Sequence, residues 1–266
     1  MMEGRGFENR GDLKISGSGS VGGGSYNNVK ISGAGKVTGS IDCRLLSISG
    51  AGKIQGEVKA EDISISGSGK IEGGAYCQEI SVSGAGKFLG DVQCKSISTS
   101  GSCKIEGGLR CEEVSISGSA TIDKKIEADI IKLSGIVTAL GLEGERFYGD
   151  GIFKFEELLN ADKIDIAIRG KCEAKEIGGE EITIKTGRNN IGGFLQSLFS
   201  FGYDEGSLRA EVIEGDVLYL ENTTVKMVRG DKVVIGPGCT IENLEYKSSL
   251  EVSEKSRVNN QVRLGE

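Results

Sequence analysis

Seven cysteines and no histidine set the chemistry open to this chain. Without an imidazole, neither a Ser-His-Asp nor a Cys-His constellation can form, which excludes nucleophilic catalysis of those kinds. Zinc would ask for closely spaced cysteine pairs or histidine partners, and the sequence has neither. Cys43, Cys77, Cys94 and Cys111 instead recur at one slot of a repeating unit, a slot that Ala60 and Ala128 fill in other copies. A position shared by Cys and Ala asks for a small buried side chain, so these residues are expected to pack as free thiols in a core. Carboxylates follow the same rhythm. Glu72 and Glu106 share a slot with Thr38, Gln55 and Leu89, which suits a variable exposed corner better than a tuned acid-base pair. Gly17-Ser18-Gly19-Ser20-Val21-Gly22 has the spacing of a dinucleotide-binding loop, but it is the first copy of a corner repeated along the chain and opens no βαβ unit. The repeated Gly-Lys pair is followed by an aliphatic residue, as in Gly52-Lys53-Ile54, and therefore makes no phosphate-binding loop. We expect no catalytic residues, no cofactor, no metal and no nucleotide.

Three further features bear on binding. Lys36, Lys53, Lys70, Lys87 and Lys104 recur every seventeen residues as a basic stripe, either a site for an anionic partner or a solvated corner that discourages lateral strand pairing. Ile191, Phe194, Leu195, Leu198 and Phe199 have helical spacing, with Phe201 just beyond. Their apolar face has to be covered, by the flank of the protein itself, by a partner or by a membrane surface. Arg229-Gly230-Asp231 spells an adhesion tripeptide, but its Gly-Asp pair matches that of Glu214-Gly215-Asp216 and reads as a turn signal.

The element that must carry all of these is a short repeat. Ile-Ser-Gly or a close variant begins at Ile15, Ile31, Ile48, Ile65, Val82, Thr99, Ile116 and Leu133, and a Lys-aliphatic pair follows in most copies. Within a copy, Ile63 and Ile65 alternate with Ser64 and Ser66, the period of a strand buried on one face. Gly-x-Gly then turns the corner, a role assigned to the ease with which glycine reaches positive φ. A unit of about seventeen residues cannot bury its apolar face alone and needs neighbours above and below. The expected fold is all-β, a right-handed parallel β-helix with about seventeen residues per coil and a short helical insertion near 191–201. Ile31, Ile48, Ile65, Val82 and Ile116 should form its core ladder together with the four cysteines. Helical arrays of the ankyrin type repeat at roughly twice this length, and a Gly-Ser-Gly-Lys corner in every copy would break their helices.

The period divides the chain into an N-terminal tail over 1–12, a regular block over 13–138, an irregular connection over 139–158, a less regular block over 159–258 interrupted at 187–206, and a tail over 259–266. Forty-three glycines, one proline and no tryptophan suit many short strands and tight corners. A formal charge of −7 with both signs interspersed argues against a nucleic-acid binder. No segment has the roughly 20 apolar residues that span a bilayer, and the start offers no apolar stretch for a signal peptide, so a cytoplasmic protein is expected, with the inner face of the membrane as a peripheral alternative.

The repeat Val-x-Ala/Cys-x-x-Ile-x-Ile-Ser-Gly-x-Gly-Lys-Ile-x-Gly across residues 29 to 135, its looser return after 159 and the closing Val233-Val234-Ile235-Gly236-Pro237-Gly238-Cys239 resemble the bactofilins. The two coil blocks are most similar to the longer relatives found in Gram-positive bacteria. The resemblance implies a non-enzymatic cytoskeletal scaffold that assembles with itself end to end without nucleotide. It also implies membrane-associated or envelope proteins as further partners, in cell shape or motility. The alternative is a β-helical module that binds a cell-envelope glycan or another anionic partner.

Overall fold

A computed structural model of the protein describes residue 7 and residues 9–187 and 206–265. The described residues are strands, corners and turns, and form a parallel β-solenoid with about 17 residues per turn. The short helical insertion expected near 191–201 lies outside them. The chain divides into two compact units, one of Met1–Ile131 with Gly135–Leu140 and the other of Lys132–Ser134 with Gly141–Glu266.

In the first unit each strand pairs in parallel with its counterpart one repeat away. Strand Val58–Ile65 sets Ile63 and Ile65 against Leu46 and Ile48 on one side and Ile80 and Val82 on the other. Strand Ser68–Ile71 does the same between Ala51–Ile54 and Ala85–Phe88. Because register advances by whole repeats, identical side chains stack. Ile31, Ile48, Ile65, Val82, Thr99 and Ile116 form one continuous ladder, each no more than 3% exposed. Val37, Ile54, Ile71, Phe88, Ile105 and Ile122 form a second. Burying one such aliphatic side chain contributes about 1.5–3 kcal/mol, and the alternation of apolar with polar residues turns every second position inward. Thr99 is the polar rung of the first ladder; its carbonyl accepts hydrogen bonds from the backbone N–H of Ser117 and of Gly118.

The corner glycines owe their place to crowding rather than to positive φ. Among the described glycines positive φ occurs at Gly24, Gly39 and Gly238, not at the Ile-Ser-Gly corners. A Cβ on Gly50, Gly67, Gly84, Gly101 or Gly118 would instead overlap the backbone carbonyl oxygen of the corner glycine one coil earlier. The chain passes so close to its predecessor that no side chain fits between them.

In the second unit the strands Ile152–Ile168, Lys171–Thr186, Ser207–Leu220, Thr223–Ile235, Thr240–Val252 and Arg257–Arg263 pair in that order, all in parallel. Leu159, Ile177, Ile213, Val228, Leu244 and Gln261 stack in one ladder. The steps between them are 18, 36, 15, 16 and 17 residues. The step of 36 spans residues 188–205, which lie outside the described residues. Residues 139–158, without a visible period, fall within strands Ile136–Gly149 and Ile152–Ile168 apart from Asp150 and Gly151. Phenylalanines take over from the aliphatic ladder there. Phe153 stacks on Phe155 at 5.3 Å and meets Phe147 edge-on at 5.6 Å, all three being buried. Residues 259–263 likewise continue a strand that begins at Arg257. The Gly230-Asp231 pair, read from sequence as a turn, sits inside strand Thr223–Ile235, where the register shifts by a bulge between Gly230 and Lys232.

Candidate functional site

The lysines of the repeat align in register from Lys36 through Lys53, Lys70 and Lys87 to Lys104. They do not form a bare cationic stripe. Glu72 accepts from both Lys53 at 2.9 Å and Lys70 at 3.0 Å, Lys87 meets Glu106 at 2.8 Å, and Lys104 meets Asp123 at 3.5 Å. The lysine pair holds the part-buried Glu72 carboxyl at about 2, well below the usual range, and Lys87 lowers that of Glu106. Pairing through neighbouring coils leaves most of the lysine charge offset, with each exposed pair contributing little to stability. Sequence reading placed these acids at the corner; their pairing with lysines one coil away needed the stacking geometry.

The cysteine slot is buried throughout. Cys43 stands in register with Ala60, and the backbone N–H groups of Cys77 and Cys94 donate to the carbonyls of Gln93 and Arg110 in the next coil. Cys77, Cys94 and Cys111 thus occupy three successive coils with no alanine between them. All seven cysteines are free thiols. The segment bearing Ile191, Phe194, Leu195, Leu198, Phe199 and Phe201 lies outside the described residues.

Two shallow grooves mark the surface. One, of about 550 Å³ in the first unit, runs past Tyr76, Asp91, Arg110, Lys124 and Glu127. Its charges neutralise each other: Lys124 reaches Asp91 at 3.3 Å and Arg110 Nε reaches Glu127 at 2.8 Å. The Gly108 N–H and Lys124 hold the Asp91 carboxyl below its usual value. The other, of about 590 Å³ in the second unit, is flanked by Asp162, Glu180, Asp216 and Asp231. Among the described residues no group of three or more Cys, Asp or Glu side chains is placed to hold a metal ion.

The strand edges are the less finished part of the molecule. In the second unit the ladder Leu220, Ile235, Val252 runs from 0% to 1% and then to 39% exposed, the rise falling where another coil would cover it. Beside it Leu250, in register with buried Val233, is half-buried. Among the described residues, Arg257–Arg263 pairs with Thr240–Val252 on one side and has no strand on the other, and Val262 is 54% exposed. Polar groups moderate this edge, since Gln261 takes the core slot of Leu244 and Asn260 donates to Asn243 at 3.1 Å. In the first unit the outer strands Leu13–Ile15 and Gly19–Ser25 likewise pair on one side among the described residues. There Phe7 is buried under the Arg10 guanidinium, 4.8 Å from the ring centroid, and Arg10 is tied to Asp42 at 3.3 Å. Sequence reading had no single residue for these edges, because an edge is defined by what fails to stack on it.

A parallel solenoid built from short, in-register, Gly-cornered coils, with outer strands unpaired among the described residues, defines a β-solenoid repeat protein. Residues 2–110 and 51–127 match the model of the bactofilin family, described as polymer-forming cytoskeletal, so this stretch of the chain is similar to a bactofilin domain. The chain is 37% identical over 108 residues, 40% of its length, to the uncharacterized protein YhbF of Bacillus subtilis (strain 168), and 38% identical over 112 residues, 42% of its length, to the uncharacterized protein YhbE of the same organism. These alignments span 42% and 45% of the two relatives, less than half of either. No solved structure matches the chain.

Proposed function

We propose that the protein is a cytoskeletal scaffold that assembles end to end into filaments without nucleotide, the outer strand edge of one copy receiving an edge of the next. The observation that carries this is the loss of burial along Leu220, Ile235 and Val252, which leaves the last rung of a core ladder among the described residues uncovered. An unpaired parallel edge presents backbone donors and acceptors together with such a ladder, and templates a further strand unless something blunts it. Adding a coil from another chain repeats the contact that each coil already makes within its own, and nothing in that geometry closes after two copies. The polymer-forming description of the matched family points the same way.

The scaffold would serve envelope, cell-shape or motility proteins from the cytoplasm, at the inner face of the membrane where those partners are anchored. No helix among the described residues is long and apolar enough to cross a membrane. The offsetting of Lys53, Lys70, Lys87 and Lys104 by acids argues against the stripe as a dock for an anionic glycan. Negative-stain microscopy and sedimentation of purified protein in nucleotide-free buffer test the proposal. Filaments are expected, with Val252→Lys and Val262→Lys together shortening or abolishing them while the circular dichroism of the sheet is retained. A protein that stays monomeric at high concentration would overturn it.

A further inference from the structure

Seven buried thiols are spread through the two units, and three of them differ from the rest in placement. Cys77, Cys94 and Cys111 are 5%, 8% and 8% exposed, whereas Cys43, Cys172 and Cys239 are between 0% and 2% and Cys103 is 3%. The same three sit in consecutive coils at one slot, since the residues just before them, Tyr76, Gln93 and Arg110, stand in register. Strands in such a ladder are about 4.8 Å apart, inside the Cα separation of about 4.4–6.8 Å that a disulfide tolerates. Cys43 belongs to the slot too, but the methyl of Ala60 separates it from Cys77. One alanine therefore divides the slot into an isolated thiol and a stack of three.

We propose that the Cys77, Cys94, Cys111 stack is a site of oxidative modification, at which a hydroperoxide converts Cys94 and one neighbour into a disulfide between adjacent coils. The Cys94 thiolate attacks the distal peroxide oxygen, the O–O bond breaks, and the alkoxide leaves and takes up a proton as an alcohol. Cys94 is then a sulfenic acid. The thiol of Cys77 or Cys111 attacks its sulfur, the S–OH bond breaks, and the hydroxide departs with the thiol proton as water. Two thiols and one hydroperoxide thus give one disulfide, one alcohol and one water, the peroxide being the oxidant.

The electrostatics agree with this placement. Within the stack, Cys111 and Cys77 together lower the Cys94 thiol, while the two neighbours are pushed up in turn. Cys43 and Cys103, without that arrangement, are pushed up to about 12 by burial. A thiolate between two thiols combines nucleophile and resolving groups in one stack.

The test treats the full-length protein, under native conditions, with hydrogen peroxide and maps its peptides without reduction. The expected product is an intrachain link from Cys94 to Cys77 or Cys111, two hydrogens lighter than the reduced peptides. Native alkylation of Cys94 should run about tenfold or more faster than that of Cys43. Cys94→Ala should abolish the link and Cys43→Ala should leave it intact. The first variant is expected to fold, because Ala60 and Ala128 already occupy this slot. Equal oxidation of Cys43 and Cys94, links confined to separate chains, or a link that survives Cys94→Ala would each overturn the proposal.

Discussion

Replacing Gly101 with alanine should unfold the first unit far more readily than the same change at Gly17, although both are the third residue of an Ile-Ser-Gly corner or its variant. A methyl at Gly101 would overlap the Gly84 and Ser83 carbonyl oxygens and lie 2.6 Å from the Ser83 carbonyl carbon. These are backbone atoms of the preceding coil, with no rotamer into which they can retreat. The Gly84 carbonyl accepts from the Ser102 N–H at 2.8 Å, and the Gly101 N–H donates to Val82 at 3.2 Å, so opening the gap strains the pairing that joins the coils. Losing one or two such bonds costs about 1 kcal/mol each, and overpacking adds about 1–3 kcal/mol, giving a loss of about 2–5 kcal/mol. At a urea slope of about 2 kcal/mol per molar the midpoint should fall by about 1–2.5 M. Gly17 has no heavy atom within 4 Å of its Cβ position and its φ is not positive, so Gly17→Ala should be neutral or stabilise by about 0.4–1 kcal/mol through the unfolded chain. Urea titrations followed by circular dichroism decide the matter. If the two variants unfold at the same midpoint, coil-to-coil crowding is not the reason for glycine at this corner.

Removing the Phe153 ring from its stack with Phe147 and Phe155 should cost about 3–5 kcal/mol and lower the melting temperature, as calorimetry of Phe153→Ala would show; a change below about 1 kcal/mol would mean that the cluster is not part of the core. Glu72 is held at about 2 by Lys53 and Lys70, so its pairing contributes fully above the ordinary carboxylate value near 4.5 and is lost as the pH falls toward 2. Carbon-detected titration of the Glu72 carboxyl should show that low midpoint, and Lys53→Met with Lys70→Met should return it to about 4.5; a normal midpoint in the parent protein would refute the pairing.

The first unit is readable because the physical constraint repeats. Every corner needs a residue without a side chain, every ladder needs an aliphatic one, and both demands return each time the chain completes a coil, as at Gly50 and Ile48. Legibility ends where stacking can be satisfied in more than one way. Phe147, Phe153 and Phe155 fill the interior with rings of different orientation, so strands that are as regular as the others carry no visible period. In the second unit the steps of 15, 16, 17 and 18 residues conserve the ladder while corners of different length absorb the change. Crowding, not positive φ, explains the corner glycines, and a close approach between coils leaves no mark in the sequence that distinguishes the two. The lysine stripe shows a third limit. Charges seventeen residues apart are visible in the sequence, but Glu72 answers Lys53 of the coil before as well as Lys70 of its own, and only the stacked geometry shows one carboxylate serving two lysines.

The same logic ties the thiol stack to the proposed assembly. A solenoid is held together by contacts between nearest coils, so its stability is close to a sum of local terms and its weakest junction sets where it opens. Within the first unit the Cys slot lies at such junctions, and a covalent bond from Cys94 to a neighbour would fasten two of them without changing the register. The outer edge of the second unit has the opposite character, since Val252, the last rung of the Leu220, Ile235, Val252 ladder among the described residues, is exposed. Oxidation should therefore stiffen the first unit against urea yet leave the critical concentration for filament formation unchanged. Sedimentation of oxidised and reduced protein across a concentration series measures that quantity. A shift of the critical concentration on oxidation would place the Cys94 coils at the assembly contact and refute the assignment of that contact to the Val252 edge.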